Sequence, residues 1–460
     1  MAAVWHPCSQ MKHYENFPPL PVARGSGAWL YDFSGKRYLD AVSSWWVNLF
    51  GHCNPRINAA ITDQLGKLEH VMLAGFTHEP VVQLSERLRE LAPKGLGHCF
   101  YASDGASATE IALKMSAHFW RNSGKRDKTK FISLENSYHG ETLGALSVTD
   151  VALFRDAYGA LIRQQATVPS PDWRKAAAGE SAEVYALRCA DALEQHLQRH
   201  HAQLSAFIVE PLVQGAAGMV MYHPIYLQRA RQLCTEYDVH LIADEIAVGM
   251  GRTGTMFACE QAPATLSPNR LRSPRYALPA SGRGEHDSAG EGIKKGITPD
   301  FLCLSKGITG GYLPLSVVMT RDEIYQAFYG DDMASGFLHS HSYTGNPLAC
   351  RAALATLDIF AQDNVLAMNR NKAAYLNEMA TPLREHSAVC SWRNTGMIWA
   401  FEVQSPHADF AQRCFALALE HELLLRPIGS TIYFMPSYII NESEMDLLVS
   451  RTLRILNQLS

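Results

Sequence analysis

The sequence predicts an α/β protein, with a large, mostly parallel sheet domain followed by a smaller C-terminal α+β domain. Two observations carry this. From about residue 97, short apolar runs alternate with amphipathic helical stretches, the pattern of strands joined by crossover helices. After about residue 330 that alternation stops, and longer helical stretches mix with isolated strand-like runs.

Taken in order, residues 28–41 (AWLYDFSGKRYLDA) read as a hairpin, because two aromatic-rich runs flank the Ser34-Gly35 turn pair. Residues 57–70 and 80–92 carry helical periodicity. CFYASDG is a strand entering a glycine turn, and ASATEIALKMSAHFWRN is the helix after it. FISLENS, AFIVEPLV, HLIADEIAVG and DFLCLSKGI follow as strands. The later helices are expected at 345–362, 364–386, 408–423 and 442–457, with strands in MIWAFEV and TIYFMP. The expected division is an N-terminal segment 1–50 that joins the small domain, a large domain 51–329 and a small domain 330–460. Residues 261–297 are rich in Pro, Gly, Ser and Arg without periodicity, and read as an exposed, mobile insertion.

Of the 460 residues, 47% are apolar and 19% charged, a balance that supports a large core. A net charge of -4 gives no basic nucleic-acid footprint. No apolar run reaches the roughly 18–20 residues of a membrane span, and the N-terminus does not read as a signal peptide. Ten cysteines are scattered without a CxxC pair, as reduced thiols of a cytoplasmic protein would be.

Four motifs carry chemistry. Leu241-Ile242-Ala243 is an apolar strand ending in Asp244, and a carboxylate there sits where parallel sheets bind ligands. Common helix caps look the same. DFLCLSKGITGG places Lys306 between a buried strand and a glycine-rich turn. A lysine held out of water has a lowered pKa and serves as amine nucleophile and base, whereas a loop lysine is merely solvated. In FYASDGASATEIALKM, Gly105 and Ala106 open a helix whose free N–H groups suit a phosphate, although a plain Ser or Asp cap is common. SLENSYHGE ends a strand at Tyr138, an aromatic that can stack on a planar ring. Phosphate cradle, stacking aromatic, strand-end carboxylate and desolvated lysine together make a pyridoxal 5'-phosphate (PLP) site.

Two decoys are set aside. Gly249 to Gly254 spells G-x-G-x-x-G, but the acidic residues precede it and no helix signal follows. His196, His200, His201, His339 and His341 lack the Cys or carboxylate partners of a metal site, so no metal is expected.

With these residues in hand, the chain resembles the class III PLP-dependent aminotransferases of fold type I over nearly its whole length. The stretches that carry the likeness include Trp5-His6-Pro7, Ser43-Ser44-Trp45-Trp46, Tyr138-His139-Gly140, Ala243-Asp244-Glu245-Ile246, Gly345-Asn346-Pro347 and Arg426-Pro427 followed by Ile432-Tyr433-Phe434-Met435-Pro436. Within the class it is most similar to the branch that aminates 8-amino-7-oxononanoate to 7,8-diaminononanoate in biotin biosynthesis, with S-adenosyl-L-methionine as donor.

The resemblance implies that Lys306 holds PLP as a Schiff base and moves the proton, while Asp244 pairs with the pyridine nitrogen. Ile246 and Tyr138 would cover the two ring faces, and Gly105 and Ala106 would cradle the phosphate. Ser342, beside His341, would come from the partner subunit of a homodimer with shared active sites. Trp45, Tyr138 and Arg426 would contact substrate, with Arg426 on its carboxylate, the long apolar acceptor along a Trp45-Trp46 wall, and Ser340 and Tyr433 nearby.

Three positions depart from the family pattern. Cys8 stands where a tyrosine that stacks on the donor's adenine is usual, Ser340 replaces a glycine and Ala106 a serine. Other class III activities, on ω-amino acids, ornithine or 4-aminobutyrate, often carry a glutamate after Gln-Gly, where this chain has Ala216. A glutamate-semialdehyde-type aminomutase would need no separate donor. A PLP-binding regulator would need a DNA-binding module, and no basic helical extension precedes residue 30.

Overall fold

The computed structural model describes residues 3–263 and 296–459. Most of the expected insertion, residues 264–295, lies outside that range. The chain divides into two units, one of Met1–Thr62 with Ile359–Ser460 and one of Asp63–Asp358. The divisions fall at 62/63 and 358/359, where the sequence reading placed 50/51 and 329/330.

Unit 63–358 is built on a seven-stranded sheet. Its spatial order is Leu96–Ala102, Ser316–Arg321, Phe301–Leu304, His240–Asp244, Leu204–Val209, Lys130–Leu134, Ala166–Val168. Every pair is parallel except the two made by Ser316–Arg321, which runs antiparallel to both neighbours. The central strands are buried on both faces, as parallel strands covered by helices must be. The helix Gly105–Asn122 turns Ala108, Ile111, Ala112 and Met115 onto this sheet, among Ile208, Ile242, Phe301 and Val318. Burying each large apolar side chain contributes about 1.5–3 kcal/mol. Register fixes the site: Val209 pairs with Ala243 and Asp244 with Cys303. Glu210, Asp244 and Ser305-Lys306 therefore emerge together at the carboxyl ends of three adjacent strands.

The sequence reading missed Ala166–Val168, which has only three residues, and Ser316–Arg321, which follows the glycine turn without a break in apolar character.

In the other unit, the hairpin Trp29–Asp32 with Arg37–Asp40 forms as expected, with Gly35 at a φ of 87°. Leu423-Leu424 pairs in parallel with Leu39-Asp40, which ties the C-terminal residues to the N-terminal ones. A second sheet joins Val389–Thr395, Ile398–Val403 and Thr431–Phe434. Helices run over Val365–Met379, Phe410–Glu420 and Glu442–Leu459. The helix expected over 364–386 breaks at Ala380, and Thr381–Arg384 forms a separate turn. Pro382 explains the break, because it lacks the N–H that a continuous helix needs.

Among the described residues, no helix is long and apolar enough to cross a membrane. Six of the ten cysteines are buried.

Candidate active site

Lys306 is half-buried directly after the strand Phe301–Leu304, with a left-handed φ of 47°. Ser305 anchors the turn by donating its hydroxyl to the Leu315 carbonyl at 2.8 Å. Burial pushes the Lys306 amine below the usual lysine range, against the opposing pull of the Asp244 and Glu210 carboxylates. The glycine-rich turn lets the chain reverse there, with Gly310 and Gly311 both at positive φ.

Asp244 is buried, and both of its oxygens are engaged. Oδ2 lies 2.7 Å from His139 Nδ1, and Oδ1 accepts the Ile246 N–H at 3.1 Å. His139 is itself fixed: its N–H donates to Thr149 Oγ1 at 3.0 Å, and its carbonyl accepts from Thr109 at 2.8 Å.

Glu210 ends the neighbouring strand just as Asp244 ends its own. It accepts the Tyr138 N–H at 3.0 Å and the Gly215 N–H at 2.9 Å. Burial raises its carboxyl to about 7; His139 and the two N–H groups pull down, and Asp244 adds to the rise. Two strand-end carboxylates thus clamp consecutive residues, Glu210 the backbone of Tyr138 and Asp244 the ring of His139.

At the other end, Asp104 caps the helix Gly105–Asn122, accepting from the Ser107 N–H and hydroxyl at 2.9 Å each. This leaves the Gly105 and Ala106 N–H groups at the open helix end, where an anion binds well. The space is close-fitting. A Cβ on Gly105 would meet Ile246 Cγ2 at 2.8 Å, and one on Gly140 would meet Ala106 Cβ at 2.6 Å.

A buried carboxylate, a desolvated lysine, the Ile246 side chain beside Gly105 and an open helix end thus fit PLP: a ring nitrogen, an aldehyde carbon, one ring face and a phosphate. The segment Gly249–Gly254 forms successive turns and starts no helix, which agrees with setting aside the dinucleotide reading.

The pattern of the family described as Aminotransferase class-III matches residues 10–268 and 289–456. The chain belongs to the class III aminotransferases. An adenosylmethionine-8-amino-7-oxononanoate aminotransferase of Helicobacter pylori is 44% identical, over 99% of this chain and 96% of that protein. The protein of that name from Geobacter sulfurreducens is 38% identical, over 97% of this chain and 94% of that protein. The crystal structure of the Methanocaldococcus jannaschii protein of that name superposes with a TM-score of 0.87 at 34% identity, covering 100% of this chain and 98% of that one. An amine transaminase from an uncultivated Pseudomonas species, in a PLP-bound form, superposes at 0.86 with 29% identity, covering 99% of both chains. The fold is thus that of the PLP-dependent transaminases.

Within this class III aminotransferase, Lys306, Asp244, Tyr138, Gly105, Ala106 and Ile246 all lie in the unit 63–358. His341 and Ser342 belong to the same unit but to a separate stretch. There the His341 N–H donates to Thr344 Oγ1 at 3.0 Å, and His339 meets Lys114 at 2.8 Å. Ser340 and Ser342 are exposed.

Trp45, Arg426 and Tyr433 gather in the other unit. The Arg426 guanidinium lies 4.2 Å over the Trp45 ring, and Trp45 is 40% exposed. The Trp45-Trp46 wall is only half present: Trp46 is buried, with its indole N–H donating to the Tyr433 hydroxyl at 3.1 Å. Tyr433 is buried as well, and burial pushes its hydroxyl up to about 12. Cys8 is exposed in the N-terminal stretch.

Sequence reasoning gave no role to His139 and did not single out Glu210. The signal for Glu210 was present, since AFIVE ends in a carboxylate as LIAD does.

Proposed function

We propose that this class III aminotransferase uses PLP to aminate the ketone of 8-amino-7-oxononanoate, giving 7,8-diaminononanoate for biotin synthesis, with S-adenosyl-L-methionine as amino donor. The observation that carries the reading is the full-length likeness to relatives named for this reaction, with Lys306 and Asp244 at the carboxyl ends of adjacent strands.

Lys306, Asp244, Ile246 and Tyr138, with the Gly105 and Ala106 N–H groups, would hold PLP. When bound, PLP supplies an electron sink that makes the proton on the amino-bearing carbon removable. Lys306 Nζ takes that proton and returns it, a task suited to an amine whose pKa is lowered by burial. Asp244 holds positive charge at the ring nitrogen, and His139 keeps the carboxylate oriented through the 2.7 Å contact. Arg426 binds the substrate carboxylate, with the aliphatic chain over Trp45 and Tyr433 behind. The active unit is a homodimer in the cytoplasm, with His341 and Ser342 reaching the partner's cofactor.

The donor is the point where this chain departs from its family, because Cys8 cannot stack on adenine as tyrosine does. Adding S-adenosylmethionine, or lysine in its place, to the purified holoenzyme tests this. Loss of the visible cofactor band with S-adenosylmethionine, followed by recovery with 8-amino-7-oxononanoate, is the expected result. Recovery by other keto acids but not by this one would refute the reading.

A further inference from the structure

Ser43, Ser44, Trp45 and Trp46 have φ values of 50°, 48°, 69° and 74°. Four successive non-glycine residues are therefore left-handed, a conformation in which the Cβ crowds the following carbonyl. Such strain persists only where the surroundings over-determine it, and it clusters at functional sites.

The surroundings do over-determine it. Ser43 donates its hydroxyl to the Met435 carbonyl at 2.7 Å, and Ser44 donates to Asp40 Oδ2 at 2.7 Å. Asp40 is buried and held in turn by His52 at 3.1 Å and the Val42 N–H at 3.3 Å. The Val47 and Asn48 N–H groups both donate to the Ser43 carbonyl at 3.1 Å. Trp46 points inward to Tyr433, which leaves its neighbour Trp45 facing outward.

Arg426 stands over that outward indole. It follows Leu424, which pairs in register with Asp40, the anchor of Ser44. Turn and arginine are thus tied to one strand pair. Among the described residues no carboxylate pairs with Arg426, so its N–H edge is open to an anion.

We propose that the left-handed turn is a specificity device: Ser43 and Ser44 are positioning residues that hold Trp45 beneath Arg426 and fix the guanidinium fork for the carboxylate of a long-chain substrate. This rests on the reading of Arg426 as the carboxylate-binding group. It adds that two serines, bonded to the Met435 carbonyl and to Asp40, set the preference for a carboxylate.

The test compares binding of nonanoate and 1-nonanol to the holoenzyme by calorimetry, alongside melting temperature. Native enzyme should favour nonanoate, and Arg426→Ala should abolish the preference. Ser44→Gly relaxes the turn and removes its anchor to Asp40. It should cut the preference about tenfold while melting within a few degrees of native enzyme. Ser44→Asn tolerates the left-handed region and keeps a donor toward Asp40, so it should retain the preference. If native enzyme or Arg426→Ala fails, the carboxylate reading itself falls and takes this inference with it. If both behave but Ser44→Gly keeps the preference, only the inference falls. A preference lost together with a large drop in melting temperature in both serine variants would show a merely structural turn and overturn it too.

Discussion

The two groups of site residues handle charge in opposite ways. At the carboxyl ends of three neighbouring strands, Glu210 and Asp244 are buried, bonded and matched to His139 and the nearby Lys306. In the other unit, the Arg426 charge stays exposed, and the indole beneath it is held by a strained turn. The first arrangement suits a resident group bound through every turnover, because buried charges must be permanently satisfied. The second suits a ligand that enters and leaves, since an exposed guanidinium pairs with a carboxylate without a large desolvation cost. Buried charge should then control the rate of chemistry, and exposed charge should control substrate affinity.

The largest effect separating the two is expected at Asp244. Asp244→Asn removes the negative charge while keeping the shape, and should slow single-turnover amino transfer by roughly 10²–10³-fold. Substrate binding should change little. A slowing of less than about threefold would remove Asp244 from the chemistry.

Arg426→Ala should show the converse. Losing a charge-assisted bond of about 1.5–3 kcal/mol raises the KM for the keto acid by roughly 10–100-fold, with the maximal rate nearly kept. A fall in kcat with an unchanged KM would contradict the comparison.

The smallest effect concerns stability. Burial raises the Glu210 carboxyl from 4.5 to about 7. The folded state therefore holds a proton that the unfolded chain gives up. Its contribution is present at low pH and is lost as pH rises between those values, by at most on the order of 3 kcal/mol. Glu210→Gln cannot ionise, so its melting temperature should fall less than that of native enzyme over the same range. Parallel melting curves would show that folding does not shift the Glu210 carboxyl, and would contradict the raised value.

The same contrast explains what was legible in the sequence. Lys306, Asp244 and Gly105 each sit where an apolar strand or a glycine turn marks the chain, so local pattern pointed to them and the sheet brought them together. Glu210 carried the same mark. Its role needed the register that sets Val209 beside Ala243, which no local pattern encodes. His139 needed a contact spanning 105 positions. Trp45 and Arg426 are separated by nearly the whole chain and carry no periodic signal; only resemblance named them. The left-handed turn was invisible, because Ser-Ser-Trp-Trp has no glycine to announce a positive φ. Fold class followed from the strand and helix alternation. The antiparallel Ser316–Arg321 strand did not, since strand direction depends on the crossover and not on composition.

The central claim is that Lys306 is the lysine that carries the cofactor, and one measurement addresses it directly. Purified holoenzyme would be reduced with borohydride, digested and analysed by mass spectrometry. The account predicts the cofactor's added mass on the peptide containing Lys306, and none in Lys306→Ala treated identically. Cofactor found on another lysine, or retained covalently by Lys306→Ala, would contradict it.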